Sequence, residues 1–250
     1  MKKIIIIISV IISVLIIYLI TVDRKIYYLA LGDDITINKT EDDCGYSNYV
    51  RDYLEYYGKL EIYINEFSQK NYRITDLITD IDNNKKVKVG KTEKSIKNAL
   101  IKADLLTLSI GMNDLTSIIN METLGYEQDY QYFYNRADEI IKDLEKLLII
   151  IREYCKEDIF LIGIYYPYQL QNSELNNVFS YLNNRYKEIC RIYNVNYIEI
   201  YDLFNANPAY LATDTNQPSK EGLEAIGNQI VVMLNNRLLK KSWFYKKRLL

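Results

Sequence analysis

The chain has 250 residues, 49% hydrophobic and 26% charged, with a net charge of −2. These values exclude a disordered chain and fit one sizeable hydrophobic core. The near-neutral balance leaves no global positive field for nucleic acid.

Residues 4–22 read IIIIISVIISVLIIYLITV, with no charge in the run. As a helix they reach roughly 28 Å, close to the hydrocarbon thickness of a bilayer. Lys2 and Lys3 precede the run, and the positive-inside tendency keeps them cytoplasmic, placing everything after Asp23 outside. Residues 1–25 are therefore expected to be an uncleaved, single-pass anchor in the cell membrane. A cleaved signal peptide and a buried helix are the competing readings. No small-x-small site ends the run, and the flank is Asp23-Arg24-Lys25.

Residues 26–31 (IYYLAL) are short, β-branched and aromatic, which predicts a buried strand. Residues 46–57 place apolar side chains at helical spacing. Residues 60–67 (LEIYINEF) alternate and predict a second strand. A helix is expected over 74–81, and a polar, lysine-rich loop over 82–91. A short helix at 96–103 leads into a third buried strand at 105–110 (LLTLSI). The longest helix spans 127–154, with Ile140, Ile141, Leu144, Leu147, Leu148 and Ile151 as its apolar stripe. A fourth strand at 159–164, a helix at 173–192, a fifth strand at 197–200 and a helix at 219–239 complete the series. Ser219 is a candidate N-cap, without the rest of a capping box because Gly222 stands three residues on.

Strands alternating with helices predict a parallel sheet covered on both faces. Ligands in such sheets bind beyond the carboxyl ends of strands. Polar residues stand there: Asp33 and Asp34 after strand one, Asn71 beyond strand two, Asn113 and Asp114 after strand three.

Four stretches in this order resemble the blocks of the SGNH hydrolases, the GDSL lipase/esterase family. Gly32-Asp33-Asp34-Ile35-Thr36 is similar to the Gly-Asp-Ser block, with Asp34 where the nucleophilic serine stands. Residues 65–77 resemble the second block, with Asn71 where a glycine N–H serves the oxyanion hole. Asparagine tolerates the left-handed backbone such a turn uses. Gly111-Met112-Asn113-Asp114 matches Gly-x-Asn-Asp, whose asparagine is the side-chain oxyanion donor. Asp214-Thr215-Asn216-Gln217-Pro218 resembles Asp-x-x-His-Pro, with Gln217 in place of the histidine. Ile162-Gly163-Ile164-Tyr165-Tyr166-Pro167 is similar to the segment around the fourth strand. The resemblance implies a three-layer α/β/α, flavodoxin-like fold with a central parallel five-stranded sheet over residues 26–239.

The departures fall on the chemistry. A serine route needs a hydroxyl and a base. Asp34 has no hydroxyl, Gln217 accepts no proton, and the chain has no histidine at all. Three readings of Asp34 follow. It caps the helix after it, taking that helix's backbone N–H groups. It attacks an acyl group itself, forming an anhydride, with Asp214 directing water, unless the hole lined by Asn113 binds the carboxylate and the site is occupied from within. Or Asp33, Asp34 and Asp214 hold a hard cation. Gln217 is expected to keep a neutral hydrogen bond to Asp214. The leading expectation is a catalytically inactive, outward-facing relative with a binding or structural role. A cell-wall glycan, an acyl group or a protein partner would be its ligand. No cofactor is implied. The alternative is an esterase or acylhydrolase acting on an ester or acylated glycan through Asp34.

Cys44, Cys155 and Cys190 have the pattern of neither a disulfide framework nor a zinc site, though one disulfide outside the cell stays open. Cys155 and Cys190 fall in helical patterns as small buried hydrophobes. Residues 240–250 form a basic, aromatic tail: Lys240, Lys241, Lys246, Lys247 and Arg248 surround Trp243, Phe244 and Tyr245. Such a tail suits contact with anionic headgroups or wall polymers, or is a solvated end.

Overall fold

A computed structural model of the chain describes residues 25–37, 44–119, 130–167, 173–212 and 217–247, with backbone alone beyond 236. The apolar run 4–22 and Asp214 lie outside them. Among the described residues no helix is long and apolar enough to cross a membrane.

In chain order the elements are β1 (Ile26–Gly32), α1 (Asp34–Ile37), α2 (Tyr46–Tyr56), β2 (Leu60–Ile64) and α3 (Ile74–Asp82). Then come β3 (Lys86–Val89), β4 (Thr92–Ser95), α4 (Ile96–Lys102), β5 (Leu105–Ser109), α5 (Met112–Thr116) and α6 (Tyr130–Tyr154). β6 (Asp158–Ile162), α7 (Ser173–Ile192), β7 (Asn196–Ile198), α8 (Tyr201–Ala206) and α9 (Lys220–Lys247) follow. Five strands form a parallel sheet in the order β2-β1-β5-β6-β7. The order reverses between β1 and β5, the switch point where open α/β sheets bind ligands.

Both faces of the sheet are covered, which is why its strands read as apolar runs. Along β1 the side chains alternate. Tyr27, Leu29 and Leu31 join the core beneath α3, α4, α6 and α7, whereas Tyr28 and Ala30 join the core beneath α2 and α9. Tyr28 and Tyr46 are fully buried with hydroxyls, and each hydroxyl meets Thr107 Oγ1 of β5, at 2.9 and 3.2 Å. Those bonds remove the cost of burying unpaired polar groups.

Several boundaries differ from the sequence reading. Residues 82–91 are not a loop: β3 and β4 pair as an antiparallel hairpin turning at Gly90, whose φ is +57°. Val87 and Val89 pack on the core while Lys86 and Lys88 face water, so the lysines mark one face of a strand. The second and fourth strands end early, at Ile64 and Ile162, leaving irregular chain at the carboxyl edge. The last helix continues past 239 to Lys247, so residues 240–247 extend it. Cys44, Cys155 and Cys190 are free thiols, the latter two buried.

Candidate functional site

The site begins where β1 and β5 end side by side. Gly32 pairs with Ser109. Its φ is +145°, and a Cβ there would come within 2.1 Å of the Ser109 carbonyl oxygen. Only glycine allows this approach. The chain then turns, and Asp33 N–H donates to the Ser109 carbonyl at 2.9 Å. The buried Asp33 carboxyl accepts the Ser109 hydroxyl at 2.7 Å through Oδ1. Burial pushes Asp33 up to about 7; the Ser109 bond opposes the shift and the neighbouring Asp34 charge adds to it.

Asp34, half-exposed, opens the single turn of α1. Its side chain does not cap that turn, correcting the expectation from the sequence. Oδ2 reaches across the switch point and accepts two N–H groups, the Asn71 backbone at 2.8 Å and Asn113 Nδ2 at 3.0 Å. The adjacent carboxylates diverge, one into β5 and one onto the loops.

Each donor is held in place. Asn71 sits at φ +54°, the left-handed geometry its position calls for. Its loop is tied to β1 by Gln69 N–H on the Gly32 carbonyl at 3.1 Å and by Ser68 Oγ on the Ala30 carbonyl at 3.1 Å. Farther along, Asp80 Oδ2 accepts the Tyr72 hydroxyl, Lys85 Nζ at 2.6 Å and Gln69 Nε2 at 3.1 Å. Asn113 Nδ2 also donates to the Tyr72 carbonyl at 3.2 Å. The buried Asp114 accepts the Ile74 N–H at 3.2 Å, closing the first turn of α3 from outside. Burial raises Asp114 to about 6, against the Ile74 bond and the charges of Arg136 and Arg73.

Beside these groups lies a cavity of about 20 Å³, lined by Asp34, Asn113, Ile164, Tyr165 and Gln217 among others. That is room for about one water molecule. Tyr165, which sequence reasoning named only within a block, faces Gln217, its hydroxyl 3.5 Å from Oε1. Its signal was the run Ile164-Tyr165-Tyr166-Pro167 just beyond β6. Ser109 also lines the cavity, but it is 3% exposed and its proton is directed to Asp33. Asp34, Asn71, Asn113 and Gln217 thus meet at one edge of the sheet; Asp214, and with it any bond to Gln217, lies outside the described residues. Among the described residues no three His, Cys, Asp or Glu side chains group to hold a metal ion.

Two fixed N–H donors aimed at one oxygen are the geometry that stabilises a tetrahedral oxyanion in acyl transfer. Here the oxygen belongs to the protein. A carboxylate is one bond longer than a serine hydroxyl, and that length carries Oδ2 onto the donors.

A family model described as GDSL-like Lipase/Acylhydrolase matches residues 28–230. Among solved structures, the lipase Lip_vut3 from a goat rumen metagenome is 21% identical, with a TM-score of 0.69, over 82% of this chain and 95% of its own. The acetylxylan esterase Axe2 from Geobacillus stearothermophilus is 19% identical, with a TM-score of 0.60, over 82% of this chain and 91% of its own. At these identities the likeness is one of fold. No curated protein matches the chain.

Proposed function

Because the chain belongs to the GDSL-like lipase/acylhydrolase family, we propose that it is a member that has kept the scaffold and given up acyl hydrolysis. It serves as a binding or structural protein, tethered by residues 4–22 with the domain outside the membrane. The observation that carries this reading is the pair of bonds from Asn71 N–H and Asn113 Nδ2 to Asp34 Oδ2. A substrate carbonyl would have to displace a charged acceptor from both donors before either could stabilise its oxyanion. The absence of histidine from the sequence supports the same conclusion, since no imidazole is present to act as base.

The tether rests on the uncharged run 4–22 and on Lys2 and Lys3 before it. An outward domain of this kind meets cell-wall glycan, acylated polymers or other surface proteins, and those are the ligand classes to be screened. A hydrolase working through Asp34 requires its carboxylate to give up both N–H groups to the substrate's oxyanion, attack the acyl carbon and expel the ester's alkoxide, which takes a proton from water, leaving an anhydride that a second water opens to the free acid.

The experiment is turnover of nitrophenyl acetate and of acetylated sugars by the purified protein, beside its Asp34→Ala variant. The proposal expects no turnover above buffer from either. Turnover by the wild type that disappears in Asp34→Ala would establish the Asp34 route and overturn the proposal.

A further inference from the structure

The two poles of the domain differ. At one, the strands end and the candidate site lies. At the other, the strands begin and the chain arrives from residue 25. We infer that this second pole rests on phospholipid headgroups, so that the candidate site faces away from the bilayer. The inference builds on the tether proposed above and adds the orientation of the domain upon it.

Chain length sets the first constraint. Only Asp23, Arg24 and Lys25 separate the apolar run from Ile26, the first residue of β1. Three extended residues span at most about 11 Å. The headgroup layer of each leaflet is roughly 5–8 Å deep. A run that spans the bilayer therefore holds the start of β1 at the headgroups.

The surface at this pole supplies the second observation. Seven large hydrophobic side chains are strongly exposed among the described residues: Tyr56, Tyr57, Ile101, Tyr132, Ile149, Ile192 and Val232. Single exposed apolar residues are ordinary. Their placement is not: Tyr56, Tyr57, Ile101 and Ile192 each stand within one residue of the carboxyl end of α2, α4 or α7. Those helices return the chain to the starts of β2, β5 and β7, at this pole. From β2 to β7 the sheet is roughly 19 Å wide. The four side chains are thus spread along a broad face instead of gathered in a groove, which suits a flat partner.

The chemistry fits an interface. Tyr57 packs against Tyr56 and Tyr53 with ring centroids 5.0 and 4.8 Å away, a small aromatic cluster of the kind enriched at membrane interfaces. The Tyr53 hydroxyl also donates to Asn235 of α9 at 2.6 Å. Helix α9 therefore runs toward the same pole, and its backbone continues past Asn235 to Lys247 through the stretch KKSWFYKK. Charges near the pole are mixed, with a basic excess: Lys25, Lys59, Lys102, Lys156 and Arg191 stand with Glu55, Asp104, Glu157 and Asp158, and the last turns of α9 add Lys240, Lys241, Lys246 and Lys247. Contact is accordingly shared between the aromatic and aliphatic side chains and the lysines, and high salt weakens the second part alone.

The orientation narrows the ligand. The seven residues of β1 lift the candidate site roughly 20 Å above the pole. Its ligand arrives from the aqueous side, and the acyl chains of the supporting bilayer are out of reach.

The test uses the full chain reconstituted in vesicles of phosphatidylglycerol and phosphatidylethanolamine. Variants Tyr57→Cys and Lys70→Cys, in a Cys44→Ser background whose remaining thiols, Cys155 and Cys190, are buried, carry an environment-sensitive fluorophore at the introduced cysteine. Lys70 is exposed at the site end. The expected result is a blue shift and quenching by a shallow nitroxide-labelled lipid at position 57, with neither at position 70. Co-flotation with vesicles but equal signals at both positions would overturn the orientation and leave the tether standing. Loss of co-flotation would overturn the tether and the orientation together.

Discussion

Replacing Asp34 by serine and Gln217 by histidine in one molecule should create an esterase. The serine supplies a hydroxyl and removes the oxygen that now occupies Asn71 N–H and Asn113 Nδ2. Each donor released to an oxyanion is worth about 10²–10³ in kcat. A positioned imidazole adds about 10²–10⁴ as general base, and a histidine held in the wrong tautomer forfeits up to about 10⁴ of what a complete triad achieves. A gain of at least about 10² over the wild type survives that loss. Each single variant should stay at background, because a nucleophile without a base and a base without a nucleophile are both incomplete. With a cavity of about 20 Å³ among the described residues, nitrophenyl acetate should be turned over faster than the octanoate. The assay is initial-rate release of nitrophenol from the four proteins, with circular dichroism to show that each is folded. A folded double variant with no activity would refute the reasoning, as would equal turnover by Gln217→His alone.

Other consequences concern stability. Asp33 has a folded value of about 7, above its ordinary 3.8, so the folded state binds more protons between those limits. Its contribution is full below pH 4 and is lost as pH rises through 7, by about 4 kcal/mol. Urea midpoints should therefore fall between pH 4 and 7, less so in Asp33→Asn. Asn113→Ala removes the donor shared by Asp34 and the Tyr72 carbonyl and should cost about 1–2 kcal/mol in urea unfolding. Gly111 lies at φ +105°, and a Cβ there would come within 2.0 Å of the buried Tyr186 hydroxyl. Gly111→Ala should lose about 3 kcal/mol or more, or fail to fold.

The frame of the molecule was legible because burial on both faces leaves unbroken apolar strands, and IYYLAL and LLTLSI are such runs. The meeting of residues 34, 71 and 113 was legible because each follows a strand end in a parallel sheet. The hairpin at 86–95 was not, since KVKV and TEKS have the composition of a loop and only the alternating valines and Gly90 betray the strands. For Asp34 the sequence offered two partners, the helix N-terminus immediately after it and the oxyanion donor Asn113; which of them holds the carboxylate was out of reach, because the partners it takes lie 37 and 79 residues away. Likewise Asp114 reads as part of a catalytic block, and its bond to Ile74 N–H comes from tertiary packing across 40 residues.

The occupied oxyanion site is the centre of the account. Amide NMR of the isotope-labelled protein reads it directly, through the Asn71 N–H and the Asn113 side-chain protons. The account predicts that these resonances lie downfield in the wild type, as charge-assisted donors do, and move upfield together in Asp34→Ala while amides elsewhere in the sheet keep their positions. Resonances that stay in place on removal of the carboxylate would contradict it.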